Sequence, residues 1–66
     1  MPLINVKLTS PMPSKEDQDK VAKEITEIFV RNLGKTKQRT IITFEEVGAS
    51  DFYFGGQSVE SMRSKK

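Results

Sequence analysis

Residues 3–9, LINVKLT, alternate along the chain. Ile4, Val6 and Leu8 fall on one face of an extended segment, and Leu3, Asn5, Lys7 and Thr9 on the other. This period of two, with several strong β-formers, predicts a strand. The prolines of SPMPS, residues 10–14, end it. The period then changes. Val21, Ile25, Ile28, Phe29 and Leu33 recur at the spacing of an amphipathic helix, and charged residues fill the other face. Glu16–Lys20, Asp19–Lys23 and Glu27–Arg31 stand four apart with the acid first, the favourable order. Ser14, with Asp17 three residues on, reads as an N-cap, and Gly34 as a left-handed C-cap, so the helix is predicted over roughly 14–33. After a polar loop, KTKQ at 35–38, the β-branched run RTIITFEEV at 39–47 predicts a second strand. GASD forms a turn, and FYF at 52–54 a short third strand before Gly55–Gly56. The closing segment, 57–66, has little to bury and is expected to extend along a neighbour or fray.

Strand, helix and strand, joined by a long connection, imply a β–α–β unit with parallel strands. The fold class is α+β: one such unit, a short C-terminal strand or hairpin, and completion by oligomerisation. Two arguments lead to the last point. Ile42 and Phe44 point one way along the second strand while Ile41 and Val47 point the other, and one helix covers only one sheet face. The 66 residues also make a single domain, 1–66, that is small for a stable monomer, since such a chain buries only about 60% of its unfolded surface. Disulfides and the common zinc sites are closed to it, because it has neither Cys nor His. A homo-oligomer is the remaining support.

Charge narrows the partners. The net charge of +2 is carried by the last seven residues, leaving a neutral body without the basic face of a nucleic-acid binder. No stretch is long and apolar enough to span a membrane, and no secretory leader is evident, so a cytoplasmic protein is expected. Glu45 and Glu46 alternate across a strand and do not make a carboxylate pair. Lys35, Lys37 and Arg39 cluster ahead of the second strand, where they attract an anion or are simply solvated.

Pro2 carries the most pointed chemistry. Behind a retained methionine it only heads a strand, one of the few places proline fits. If Met1 is removed, as small penultimate residues generally permit, Pro2 becomes a secondary amine at the chain terminus. Such an amine is a base when its surroundings disfavour the charged form. Burial beside an aromatic such as Phe52 and a nearby guanidinium such as Arg39 both act in that direction.

Pro2 leading into a strand, RTIIT at 39–43 and FYFGG at 52–56, in this order and in a chain of this length, resemble the 4-oxalocrotonate tautomerase family over nearly the whole sequence. The resemblance implies a β–α–β protomer assembled as a hexamer, a trimer of dimers. It implies enol–keto tautomerisation of 2-hydroxydienoates or enols of 2-keto acids, a chemistry tied to aromatic degradation, with no cofactor and no metal. Pro2 is then the general base. Arg39, from a neighbouring subunit, binds a substrate carboxylate, and Phe52 lines the apolar pocket. One position departs from the pattern. Many members carry a second arginine just before the helix-starting serine, where this chain has Pro13. Lys15 is the nearest cation, and an ammonium is not a guanidinium fork. The departure puts the dicarboxylate 2-hydroxymuconate in question as the substrate and leaves a monoacid enol such as phenylenolpyruvate open. Two alternatives use the same frame: a hydratase or dehalogenase with a protonated proline acting as an acid, and a non-catalytic oligomeric binding homologue. A mixed hexamer, with a paralogous subunit supplying the missing arginine, is also compatible with these residues.

Overall fold

The computed structural model describes residues 1–64. The elements follow in the order β1 (Leu3–Thr9), α1 (Lys15–Leu33), β2 (Ile41–Val47), β3 (Tyr53–Phe54), β4 (Gln57–Ser58) and α2 (Val59–Ser64), with single 3-10 turns at Lys37–Arg39 and Ala49–Asp51. β1 and β2 pair in parallel, Leu3 opposite Ile41 through to Thr9 opposite Val47. The ladder runs one step beyond the strands at each end: Ile41 N–H donates to the Pro2 carbonyl at 3.0 Å, and Ser10 N–H to the Val47 carbonyl at 2.9 Å. The β–α–β unit expected from the sequence is therefore present.

The helix ends as its sequence predicts. The Ser14 side chain accepts the Asp17 N–H at 3.1 Å, satisfying one of the donors that a helix start leaves unpaired. At the other end Gly34 adopts φ 64, a region costly for residues with a Cβ, and Gly34 and Lys35 donate back to the Val30 and Phe29 carbonyls. The ion pairing differs from expectation. Among the described residues the intrahelical pair within reach is Lys15–Asp19 at 3.2 Å, with both side chains largely solvated.

The inner face of the sheet carries Ile4, Val6, Leu8, Ile42 and Phe44, all half-buried, and α1 turns Ala22, Ile25, Thr26 and Phe29 inward. The apolar arc of α1 is wider than this layer covers. Val21 and Ile28 remain exposed, as does Leu33 at 60%. No apolar side chain among the described residues is fully buried. The outer face corrects the expectation of a second apolar surface. Register places Asn5 beside Thr43, joined by a 2.7 Å side-chain hydrogen bond, and Lys7 beside Glu45 at 3.9 Å. Apolar character on that face is confined to its ends, Leu3 with Ile41 at one and Val47 at the other.

The expectation that the C-terminal segment extends or frays is also corrected, for 57–64. Gly55 and Gly56 take φ 55 and 84, turning the chain so that Tyr53 pairs with Ser58 and Phe54 with Gln57. Val59 N–H then donates to the Phe52 carbonyl at 2.7 Å, and the Ser58 hydroxyl caps α2 by accepting the Ser61 N–H at 3.0 Å. Residues 65–66 lie outside the described range.

Removing the α1 cap tests this account. Ser14→Ala is expected to lower unfolding free energy by about 1 kcal/mol, read by urea denaturation at fixed protomer concentration with no change in the helical far-ultraviolet signal below the transition.

Candidate active site

Parallel pairing decides where the candidate residues lie. Pro2 immediately precedes β1, and its carbonyl is bound to Ile41 at the head of β2. Arg39 closes the 3-10 turn two residues before Ile41, held by Arg39 N–H to the Thr36 carbonyl at 3.1 Å and Thr40 Oγ1 to the same carbonyl at 2.9 Å. Pro2 and Arg39 therefore share one end of the sheet. Pro2 is half-buried, Arg39 is exposed, and Met1, Leu3 and Ile41 make an exposed apolar rim around them. In the chain beginning at Met1 the Pro2 nitrogen is a tertiary amide, so its basicity depends on loss of Met1.

Phe52 lies elsewhere. It follows β2 and the Ala49–Asp51 turn, at the opposite end of the sheet. There it lines a groove of about 480 Å³ with Leu8, Phe54, Val59 and Met62 as apolar walls and Lys7, Thr9 and Arg63 as the polar part. The Phe52 and Phe54 rings meet edge to face, centroids 5.7 Å apart at 78°, a favourable quadrupole geometry. Six residue steps along β1 separate Leu3 from Thr9, roughly 20 Å at the rise of a strand. Within one protomer, then, Pro2 and Arg39 come together and Phe52 does not join them.

The groove also contains residues that the sequence reading did not single out: Lys7, Val59, Met62 and Arg63. Arg63 reaches from α2 to the end of β1, Nη1 donating to the Ser10 carbonyl at 2.6 Å and Nη2 to Thr9 Oγ1 at 3.3 Å. The available signal was Ser58, three residues before Ser61, which marks a helix start ahead of Val59. Lys15, the cation nearest Pro13 in the chain, is occupied with Asp19.

Residues 2–62 match the family model described as "Tautomerase enzyme". Over 65 residues the chain is 40% identical to the probable tautomerase Cj0270 of Campylobacter jejuni, an alignment covering 98% of this chain and 96% of that protein. A solved structure from work on the 4-oxalocrotonate tautomerase isozymes of Methylibium petroleiphilum superposes with a TM-score of 0.91 at 25% identity, over 98% of this chain and 100% of the other. A structure from work on a heterohexamer 4-oxalocrotonate tautomerase of Chloroflexus aurantiacus shares the fold, with a TM-score of 0.84 at 17% identity over 96% and 100% of the two chains. With the family model spanning nearly the whole sequence, the chain belongs to the tautomerase family and is an isomerase.

Proposed function

We propose that this protein interconverts enol and keto forms of 2-keto acids, including 2-hydroxydienoates, with Pro2 as the general base after Met1 is removed. The observation that carries the reading is that Pro2 and Arg39 lie at the same end of the two parallel strands, in a chain of the tautomerase family. The neutral prolyl nitrogen takes the proton of the 2-hydroxyl and leaves the O–H electron pair on the oxygen as an enolate. That pair closes the C=O bond as the electrons of the C=C bond shift and take the same proton from the prolinium at carbon, C3 in a simple enol or C5 in a dienol. Atoms and electrons balance with no other reactant. Arg39 offers a planar fork to the 1-carboxylate and stabilises the negative charge that builds on the 2-oxygen.

The site is completed between protomers. The exposed Val21, Ile28 and Leu33 of α1, and the rim of Met1, Leu3 and Ile41, supply apolar surface for that contact. The roughly 20 Å between Pro2 and the Phe52 groove in one chain supports a site in which Pro2 of one copy faces Phe52 of another. A homohexamer built as a trimer of dimers is the assembly we infer, and the heterohexameric Chloroflexus protein of the same fold supports that size.

Three experiments test the reading. Pro2→Ala is expected to lower kcat/KM for enol ketonisation about a hundred- to ten-thousandfold, followed by ultraviolet absorbance with phenylenolpyruvate and 2-hydroxymuconate. Chains whose mass shows a retained Met1 are expected to be inactive. In the processed wild type, activity falls as pH is lowered through the titration of Pro2, since the base must be neutral. A fall with rising pH instead assigns the proline as an acid and favours hydration or dehalogenation chemistry.

The shared site has its own signature. Pro2→Ala and Phe52→Ala chains, each weak alone, are expected to recover activity when unfolded together and reassembled, reaching about a quarter of the sites at equal mixing in a symmetric oligomer. Recovery no greater than the sum of the separate variants would show that each protomer carries its own complete site.

A further inference from the structure

The segment FYF, 52–54, runs extended into β3, and successive side chains of an extended segment point to opposite sides. Phe52 and Phe54 therefore share one side, and both line the groove at the end of β1, where Tyr53 does not. The two-residue turn at Gly55–Gly56, with φ 55 and 84, pairs Phe54 with Gln57 and so fixes the backbone that carries the Phe54 ring. That ring meets Phe52 edge to face, centroids 5.7 Å apart at 78°. Phe52 is half-buried, whereas Phe54 is 58% exposed. The contact with Phe52 thus leaves more than half of Phe54 uncovered on the wall of the groove.

The rest of the lining decides what kind of group the groove accepts. Leu8, Val59 and Met62 complete its apolar walls, and no carboxylate among the described residues lines it. Its two cations are engaged elsewhere. Arg63 donates to the Ser10 carbonyl and to Thr9 Oγ1, and Lys7 lies 3.9 Å from Glu45 on the outer sheet face. What remains toward the groove is aromatic, aliphatic and thioether surface. Such surface favours a flat uncharged group, because a ligand ring gains a quadrupole contact with Phe54 and a sulfur–aromatic contact with Met62. Space is sufficient: the groove holds about 480 Å³, and a closed apolar cavity of about 150 Å³ already admits benzene.

We propose that Phe54 is a specificity-determining residue that holds the Phe52 ring and shifts the preference of this protein toward enol acids bearing an aryl group. The proposal rests on the tautomerase reading of that groove. Its test uses the processed full-length oligomer and two monoacids that differ in this group, phenylenolpyruvate and 2-hydroxy-2,4-pentadienoate. Phe54→Leu keeps apolar bulk and removes the ring. It is expected to lower kcat/KM for phenylenolpyruvate about 3- to 10-fold, the range of one aromatic pair, mainly through KM, and to leave the pentadienoate within about twofold. Phe54→Tyr, which keeps the ring, is expected to stay near wild type on both. Equal losses on both substrates would reduce Phe54 to a support of the hairpin, and no loss on either would remove it from the site; each overturns the proposal. Calorimetry with trans-cinnamate and crotonate, flat unsaturated acids that carry phenyl and methyl and have no enol to convert, reads the groove without turnover. If wild type converts neither enol, the tautomerase reading fails and these acids decide. Tighter binding of cinnamate than of crotonate, weakened in Phe54→Leu, upholds the aryl site, and binding that is equal, undetectable or unchanged by the substitution overturns it.

Discussion

The hydrogen bond from Ile41 N–H to the Pro2 carbonyl starts the parallel ladder, and the layout of the molecule follows from it. In a parallel pair everything that precedes the two strands gathers at one end, and everything that follows them gathers at the other. Pro2 and Arg39 precede β1 and β2; the 10–14 loop, Phe52, the hairpin and α2 follow them. Shifting that register by one residue would exchange the inner and outer faces of a strand, moving Ile42 and Phe44 away from α1. The division of the candidate residues into two groups is thus a property of the topology, and side-chain rotation cannot undo it across a strand's length.

Much of this was legible in the residues. The 3.6-residue stripe, Ser14 and Gly34 located α1 almost to the residue, because each end depends on a local device that sequence displays directly. The period of two located β1 and β2 for the same reason. The outer sheet face was misjudged from β2 alone. Ile41 and Val47 are apolar, but the character of a face is set by cross-strand partners, and Thr43 and Glu45 meet Asn5 and Lys7 only once register is known. The last segment was misjudged because α2 is too short to hold by propensity. It depends on the reversal at Gly55–Gly56 and on the bond from Arg63 to Ser10, 53 residues away in sequence.

The candidate site divides along similar lines. The resemblance of RTIIT and FYFGG to a known family named Pro2, Arg39 and Phe52, and the strand register brings the first two to one end. The groove around Phe52 needed the hairpin, since Leu8, Val59 and Met62 are far apart in the chain and share no motif. No periodicity in 57–66 points to Arg63.

A sheet of two strands has no interior strand. β1 and β2 satisfy each other along one side only, so each carries a second side whose backbone N–H and C=O groups find no strand among the described residues. Burial of apolar surface is indifferent to direction, whereas these groups accept a neighbour only at strand spacing and in one orientation. A chain that paired along either edge would have to bring hydrogen-bonding backbone of its own. An assembly built on these edges would take its geometry from them, and from exposed side chains such as Leu3, Leu33 and Ile41 only its driving force.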